Sequence, residues 1–275
     1  MFEIDDLTLY RGRDIKLNDK IIVTVPTIDE IEQFGERSYF NAVHTLTGVG
    51  ADFKWQLWEY LKIDYTKIND YDLFLKFIYP MVSSKKNVYK IWKSDPEKYE
   101  KQLAALDDED IQEMHVNPLQ LILKDIDLAD FQIYKTNVDD RLFLYDKKRD
   151  ITIDELKYQQ IVDIVRKIHG FKRNNEMPAN ERTKMDLIED AKDAAMAASM
   201  KPYKSILKPL ISALTVKTGQ CGDDRIWNMK ISTFFDNIKR IGKIQDAELL
   251  LQGAYSGFAS LKGIDKTRLE WAGDI

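Results

Sequence analysis

Three histidines, His44, His115 and His169, and one cysteine, Cys221, are the residues of this 275-residue chain best suited to nucleophilic or metal chemistry. A zinc site needs several Cys and His ligands converging on one ion, and these four stand far apart without paired spacing. A Cys221–His nucleophilic pair would have to be assembled by the fold, because no local pairing marks it. His169 directly precedes Gly170, where a helix is expected to stop, so a partly charged imidazole can meet the last carbonyls of that helix. Its expected role is structural. Gly48-Val49-Gly50-Ala51 has the small residues of a phosphate loop, yet it follows a helical run and lacks the Gly-Lys-Ser/Thr ending. A turn between helices is expected there. Asp125, Asp127 and Asp130 could be imagined around a hard cation, but the glycine and terminal glutamate of a calcium loop are missing. Interleaved with Ile126, Leu128 and Phe131, they read as the wet side of a half-buried segment. No catalytic, cofactor-binding or metal-ligating residue is nominated, no cofactor is expected, and the chain is read as non-enzymatic.

Two stretches could bind macromolecules instead. Lys85, Lys86, Tyr89, Lys90, Trp92 and Lys93 form a run of lysines and aromatics without an acid, able to neutralise phosphates and stack on unpaired bases. Acidic residues follow at Asp107-Asp108-Glu109-Asp110, and a polar helix with solvated lysines is the favoured reading. The Ala194-to-Met200 tract is small-sided and flexible, which permits close and adaptable helix contact. It packs on the chain's own core or forms a docking surface, with Met185, Ile188, Met196 and Met200 as the candidate partner-binding residues.

The elements that would position these groups follow from pattern. Leu7–Tyr10 and Ile21–Val25 read as the strands of an N-terminal β-hairpin, with turn chemistry at Gly12 and at Asn18-Asp19. Thr27 and Glu30 make a capping box that starts a helix after Pro26. Apolar residues at helical spacing continue through Phe40, Val43 and Leu46. Asp52 and Asn69 are candidate caps of two shorter helices. A second small β element is expected near 131–153, then a helix whose face is Ile161, Ile164, Val165 and Ile168, with Gly170 as terminator. Pro209 starts or kinks one later helix, and Phe234, Phe235, Ile238 and Ile241 form the strongest amphipathic stripe. The expected fold is α+β and predominantly helical. Its parts are 1–82, hairpin plus helices; 83–118, polar helical insertion; 119–170, small β element plus helix; 171–183, linker; and 184–275, C-terminal helical region.

A chain that is 44% hydrophobic and 32% charged folds rather than staying disordered. No run is apolar enough to span a bilayer, and the acidic opening Glu3-Ile4-Asp5-Asp6 predicts no secretory signal. A lone cysteine fits a reducing compartment. The net charge of −5 is uneven. Residues 1–150 hold 21 Lys/Arg against 29 Asp/Glu and residues 151–275 hold 20 against 17, so different partners can meet different fields. Bulk nucleic-acid binding normally needs a larger basic excess.

Several strings taken together carry a resemblance: Ile21 to Glu36, Tyr71-Asp72-Leu73-Phe74, Leu144-Tyr145-Asp146-Lys147, and Leu250-Leu251-Gln252-Gly253-Ala254-Tyr255-Ser256-Gly257 running on to Trp271. Over 1–80 and 120–275 the chain resembles poorly characterised proteins encoded among tail genes of Gram-positive bacteriophages and prophages, often regarded as tail assembly chaperone-like. The resemblance implies a non-enzymatic assembly factor binding a tape-measure or tail-tube protein in the bacterial host cytoplasm. The alternatives are a structural subunit kept in the virion, such as a connector, or a nucleic-acid-binding or host-interfering phage protein.

Overall fold

In the computed structural model, residues 4–83, 116–136, 140–219, 224–258 and 262–273 are described. Helix α1 spans Asp6–Tyr10, and strands β1 (Ile15–Lys16) and β2 (Ile22–Val23) pair antiparallel behind it. The hairpin is therefore present, but its first strand is not Leu7–Tyr10. Asp5 accepts the Thr8 amide and starts a helix there, so local capping overrides the alternation of Leu7 and Leu9. Asn18 accepts the amides of Lys20 and Ile21 and closes the hairpin turn.

The capping box forms as expected. Thr27 Oγ1 accepts the Glu30 amide while Glu30 accepts the Thr27 amide, starting α2 (Ile28–Phe34). Gly35, at φ 98°, turns the chain directly into α3 (Glu36–Thr47). A 3-10 turn (Gly50–Phe53) and the short α4 (Lys54–Gln56) continue as a π-helical turn over Leu57–Leu61. Asn69 caps α5 (Asp70–Leu73), which also widens into a π-helical turn, Phe74–Ile78.

The second β element is a three-stranded antiparallel sheet, β3 (Gln132–Lys135), β4 (Leu142–Asp146) and β5 (Ile151–Ile153), in the order β3-β4-β5. Tyr71 reaches it from α5 and donates to the carbonyls of Leu142 and Ile153. Asp154 caps α6 (Glu155–His169), and Gly170 ends it in the left-handed conformation at φ 63°. The inward face of α6 is Ile161, Ile164, Val165 and Ile168, and the helix packs on α3 and on the helix Ile231–Tyr255. Tyr158 stacks on Phe74 with ring centroids 4.1 Å apart, joining α6 to the α5 turn.

Residues 171–178 have no regular structure; Asn180 then caps α7 (Glu181–Ser199), followed by α8 (Leu207–Thr218) and α9 (Ile231–Tyr255). Pro209 sits in the first turn of α8, where its missing amide costs no helical bond. Glu36 accepts the Ile206 and Leu207 amides at 2.6 and 2.8 Å, so the first residue of α3 caps α8. The start of α9 is stitched to the start of α2: Ile28 and Asp29 donate to the Met229 and Trp227 carbonyls, and Ile231 donates to that of Pro26. The core gathers Tyr39, Val43, Leu46, Leu73, Phe74, Ile161, Val165, Ile231 and Phe234 into one apolar cluster.

Candidate interaction surface

The two described histidines lie near each other, where α3 and α6 end. His169 is buried in the core, and its Nδ1 lies 2.7 Å from the Val165 carbonyl. A carbonyl only accepts, so Nδ1 carries the proton and Nε2 accepts the Tyr39 hydroxyl at 2.7 Å. Burial drives the His169 pKa down to about 4, with the neighbouring His44 adding in the same direction. The imidazole is therefore neutral near pH 7. The expected charged contact with the helix end is replaced by a neutral, doubly bonded core residue, because too little water reaches the ring to solvate a cation. Burial, and then the Glu30 charge, push the Tyr39 phenol far above its usual range.

His44 stands outside this pair, stacked on Phe171 with centroids 4.7 Å apart and rings 10° from parallel. It lines a cleft of about 690 Å³ together with Asn41, Thr45, Asp52, Arg166 and Asn174. Several polar groups of the cleft, Asp52, Arg166 and Asn174, are engaged in holding the fold. Arg166 donates to the Thr47 carbonyl at the end of α3, where a cation suits the helix terminus. Asp52 accepts the Val49 amide at 2.9 Å and the Asn174 side chain at 2.7 Å. Asp52 therefore closes the Gly48-Val49-Gly50 turn rather than capping the following helix. A Cβ at Gly48 would lie 2.5 Å from the Phe53 ring, and one at Gly50 would lie 2.5 Å from the Tyr65 carbonyl oxygen. Close packing is what these glycines serve in this turn.

The segment after α6 is tied down along its length. Phe171 stacks on His44, Arg173 forks onto Asp70 with both contacts at 2.8 Å, Asn174 meets Asp52, and Glu176 pairs with Lys54. Farther on, Lys184 bridges Asp64 at 2.9 Å and Lys192 meets Glu59 at 3.3 Å, so α7 lies along α4 and its π-turn. Burial raises the Asp64 pKa, but the bonds from Lys184 and Thr66 outweigh it and hold the group at about 2.

The acidic trio divides. Asp127 is buried and caps a 3-10 turn (Leu128–Asp130) through the Ala129 amide. Asp130 takes Arg149, and Asp125 is exposed at φ 60°. Only Asp125 fits the wet-side expectation; Asp127 turns inward because its own backbone supplies a donor. Among the described residues, no group of three or more His, Cys, Asp or Glu is placed to hold a metal ion. His115, Cys221 and the Lys85, Lys86, Tyr89, Lys90, Trp92, Lys93 run lie outside the described residues, as do Asn137, Val138 and Asp139.

Two helix ends are left uncovered. On α7, Ile188 faces inward at 6% exposure, and is a core residue rather than part of an outer face. Met185, Met196 and Met200 are exposed, Met200 at 84%, and Ala194, Ala197 and Ala198 lie open beside them. On α9 the first half is buried through Ile231 and Phe234, and Ala247 is covered farther along. The chain after α9 folds back on it: Arg268 forks onto Asp246 at 2.7 and 3.0 Å, and Arg240 holds the carbonyls of Trp271 and Gly273. Beyond that cover, Leu249, Leu251, Tyr255 and Phe258 protrude, Tyr255 at 89% and Phe258 at 94% exposure. No charge falls between Glu248 and Lys262. Leu251 and Tyr255 stand four residues apart on one face of the helix, Leu249 on another and Phe258 past the helix end. Of the candidate partner-binding residues on α7, Met185, Met196 and Met200 are exposed and Ile188 is not. The exposed apolar residues at the end of α9 were not among the candidates, although the uncharged Leu249–Leu261 stretch marks them in the sequence. Among the described residues, no helix is long and apolar enough to cross a membrane.

Residues 200–275 match the family model described as the YomV second domain, which associates the chain with proteins of bacteriophage and prophage regions. No curated protein and no solved structure matches the chain.

Proposed function

We propose that this protein is a non-enzymatic bacteriophage tail-assembly factor, acting by binding another tail protein in the host cytoplasm. The observation that carries the reading is the uncovered apolar end of α9 and the turn after it, with Leu249, Leu251, Tyr255 and Phe258 exposed inside the segment that matches a phage-associated family. A long helical assembly partner, such as a tape-measure protein, needs its apolar faces shielded before it is enclosed, and helix-on-helix contact can supply that. The open Met185, Met196 and Met200 side of α7 offers a second, adaptable surface of the same kind.

The test is co-expression with the tape-measure and tail-tube proteins of the same genome. A stable complex, or rescue of an insoluble partner, supports the reading. No complex and no change in solubility with either protein sinks it. Mass spectrometry of purified particles then separates an assembly factor, absent from the virion, from a connector or other subunit present in stoichiometric amount.

A further inference from the structure

We infer that two copies of this chain pair through the open edge of β3, antiparallel and about a two-fold axis at Tyr134, joining two three-stranded sheets into one. In an antiparallel ladder alternate residues turn their amide and carbonyl toward the neighbouring strand, and the residues between turn theirs away. Thr136 donates to the Arg141 carbonyl at 2.9 Å, in the register that sets Tyr134 opposite Phe143. Gln132, Tyr134 and Thr136 therefore bond toward β4, while Phe131, Ile133 and Lys135 direct their backbone groups to the outer edge. That edge is closed at Phe131, whose amide donates to the Leu128 carbonyl and whose carbonyl accepts the Tyr79 hydroxyl. Ile133 and Lys135 meet no strand on this side among the described residues, and every residue of β3 is exposed.

Any extended segment can add to an open edge; the spacing of the free groups is what favours a second copy. A two-fold pairing centred on Ile133 would set Lys135 against Phe131, whose groups are taken. One centred on Lys135 would place two lysines directly opposite each other, a destabilising like-charge pair. Centred on Tyr134, Ile133 of each copy faces Lys135 of the other, and four backbone bonds form. Lys135 is already paired with Asp140 of its own chain at 2.9 Å, so it brings no uncompensated charge against the isoleucine.

Both faces of the sheet agree with this register. On one, Tyr134 stacks on Phe143 with centroids 6.0 Å apart and meets Tyr145 edge-on at 5.6 Å. The two copies of Tyr134 would meet at the closely spaced, non-hydrogen-bonded position, where aromatic pairs stabilise a sheet. The aromatic row then runs unbroken across the axis. On the other face Ile133 overhangs the core at 46% exposure, although its β4 neighbour Leu144 is fully buried. The stem of Lys135 from the second copy would cover it. A cleft of about 590 Å³ lined by Tyr79, Asp130, Phe131 and Lys148 opens beside Gln132. It leaves room for Thr136 of the second copy, which this register sets opposite Gln132.

A strand edge supplies far fewer than the roughly 20–30 residues a side of a standard interface, so the pair is weak and reversible. Each copy spends its one β3 edge, and the contact closes at a dimer. The inference rests on β3 alone and can fail without the partner-binding reading.

The experiment is sedimentation velocity on the full chain from low to high micromolar concentration, where a monomer–dimer equilibrium is expected. Ile133→Pro deletes an outward amide while the bonds of Gln132, Tyr134 and Thr136 to β4 stay in place. It is expected to weaken association on the order of tenfold or more, with circular dichroism unchanged. A second measurement fixes the register in a Cys221→Ser background under a mild thiol–disulfide buffer. Tyr134→Cys places two sulfurs at the axis, with Cα atoms about 4.5 Å apart, and is expected to give a disulfide-linked dimer. Gln132→Cys, four residues out of register and on the order of 13 Å from its counterpart, is expected to give none. Monomeric wild type at every concentration overturns the inference and leaves the edge to a strand of another protein. Growth past a dimer, undiminished association of a folded Ile133→Pro variant, or cross-linking at 132 in place of 134 overturns it equally.

Discussion

Replacing His169 with leucine tests whether the ring is held neutral in the core. In the folded protein burial lowers its pKa from 6.5 to about 4. The unfolded chain leaves it near the ordinary value. Between these two pH values the unfolded state binds a proton that the folded state does not, so stability must rise with pH across that window and fall on acidification. At about 1.4 kcal/mol per unit, the group is expected to withdraw about 3 kcal/mol of stability between pH 6.5 and pH 4. Above pH 7 its contribution is flat. Tyr39 does not titrate in this range, because burial pushes its phenol upward. Leucine is close in volume, cannot ionise, and removes the ring's bonds to the Tyr39 hydroxyl and the Val165 carbonyl, a loss that does not depend on pH. Urea denaturation of wild type and His169→Leu at several pH values isolates the effect, since carboxylates common to both cancel in the difference. The variant's deficit is expected to be largest near neutrality and to shrink by about 3 kcal/mol by pH 4. A deficit independent of pH, or an imidazole NMR signal for His169 titrating near 6.5, would refute the neutral assignment.

Other perturbations separate buried from exposed contacts. Glu176→Ala strands the ammonium of Lys54, whose side chain is 11% exposed, and is expected to cost about 3 kcal/mol in thermal or urea unfolding. Arg173→Ala breaks a pair whose arginine is half exposed, and should cost less than about 1 kcal/mol in the same assay. Two glycine-to-alanine changes should differ in sign. Gly50→Ala brings a Cβ to 2.5 Å from the Tyr65 carbonyl and should cost about 2 kcal/mol, while Gly242→Ala, in open space within α9, should add about 0.5–1 kcal/mol. Thr27→Ala removes half of the capping box at α2 and is expected to lower stability by about 1 kcal/mol, read from the denaturation midpoint.

Local chemistry was legible wherever one residue type decides one backbone group. Thr27 with Glu30, Asn69 ahead of α5, and Gly170 behind α6 each act within four residues of their partners, and the structure uses all of them. The stripe on α6 was equally readable, because burial of one helix face imposes its own spacing. Leu7–Tyr10 misled because an alternating apolar pattern is compatible with a strand, while a single Asp5 bond starts a helix there. The π-helical turns at Leu57–Leu61 and Phe74–Ile78 change the hydrogen-bond partner by one residue and leave no compositional trace. Contacts such as Tyr39 with His169 and Lys54 with Glu176 join residues more than 100 positions apart, so no spacing rule reaches them. For the same reason the α9 end was readable as uncharged but not as uncovered: exposure depends on where the returning chain stops.

The backbone bonds joining the start of α9 to Pro26, Ile28 and Asp29, with the Glu36 cap on α8, tie the two ends of the polypeptide together. The stretch shared with the YomV second domain begins at residue 200, yet it leans on donors and acceptors supplied from the opposite end of the polypeptide. A gene fragment cut at that boundary and grafted elsewhere would arrive with an uncapped helix and unpaired amides. A fragment starting at residue 200 is therefore expected to need the α2–α3 cradle of the first forty residues to satisfy its helix starts.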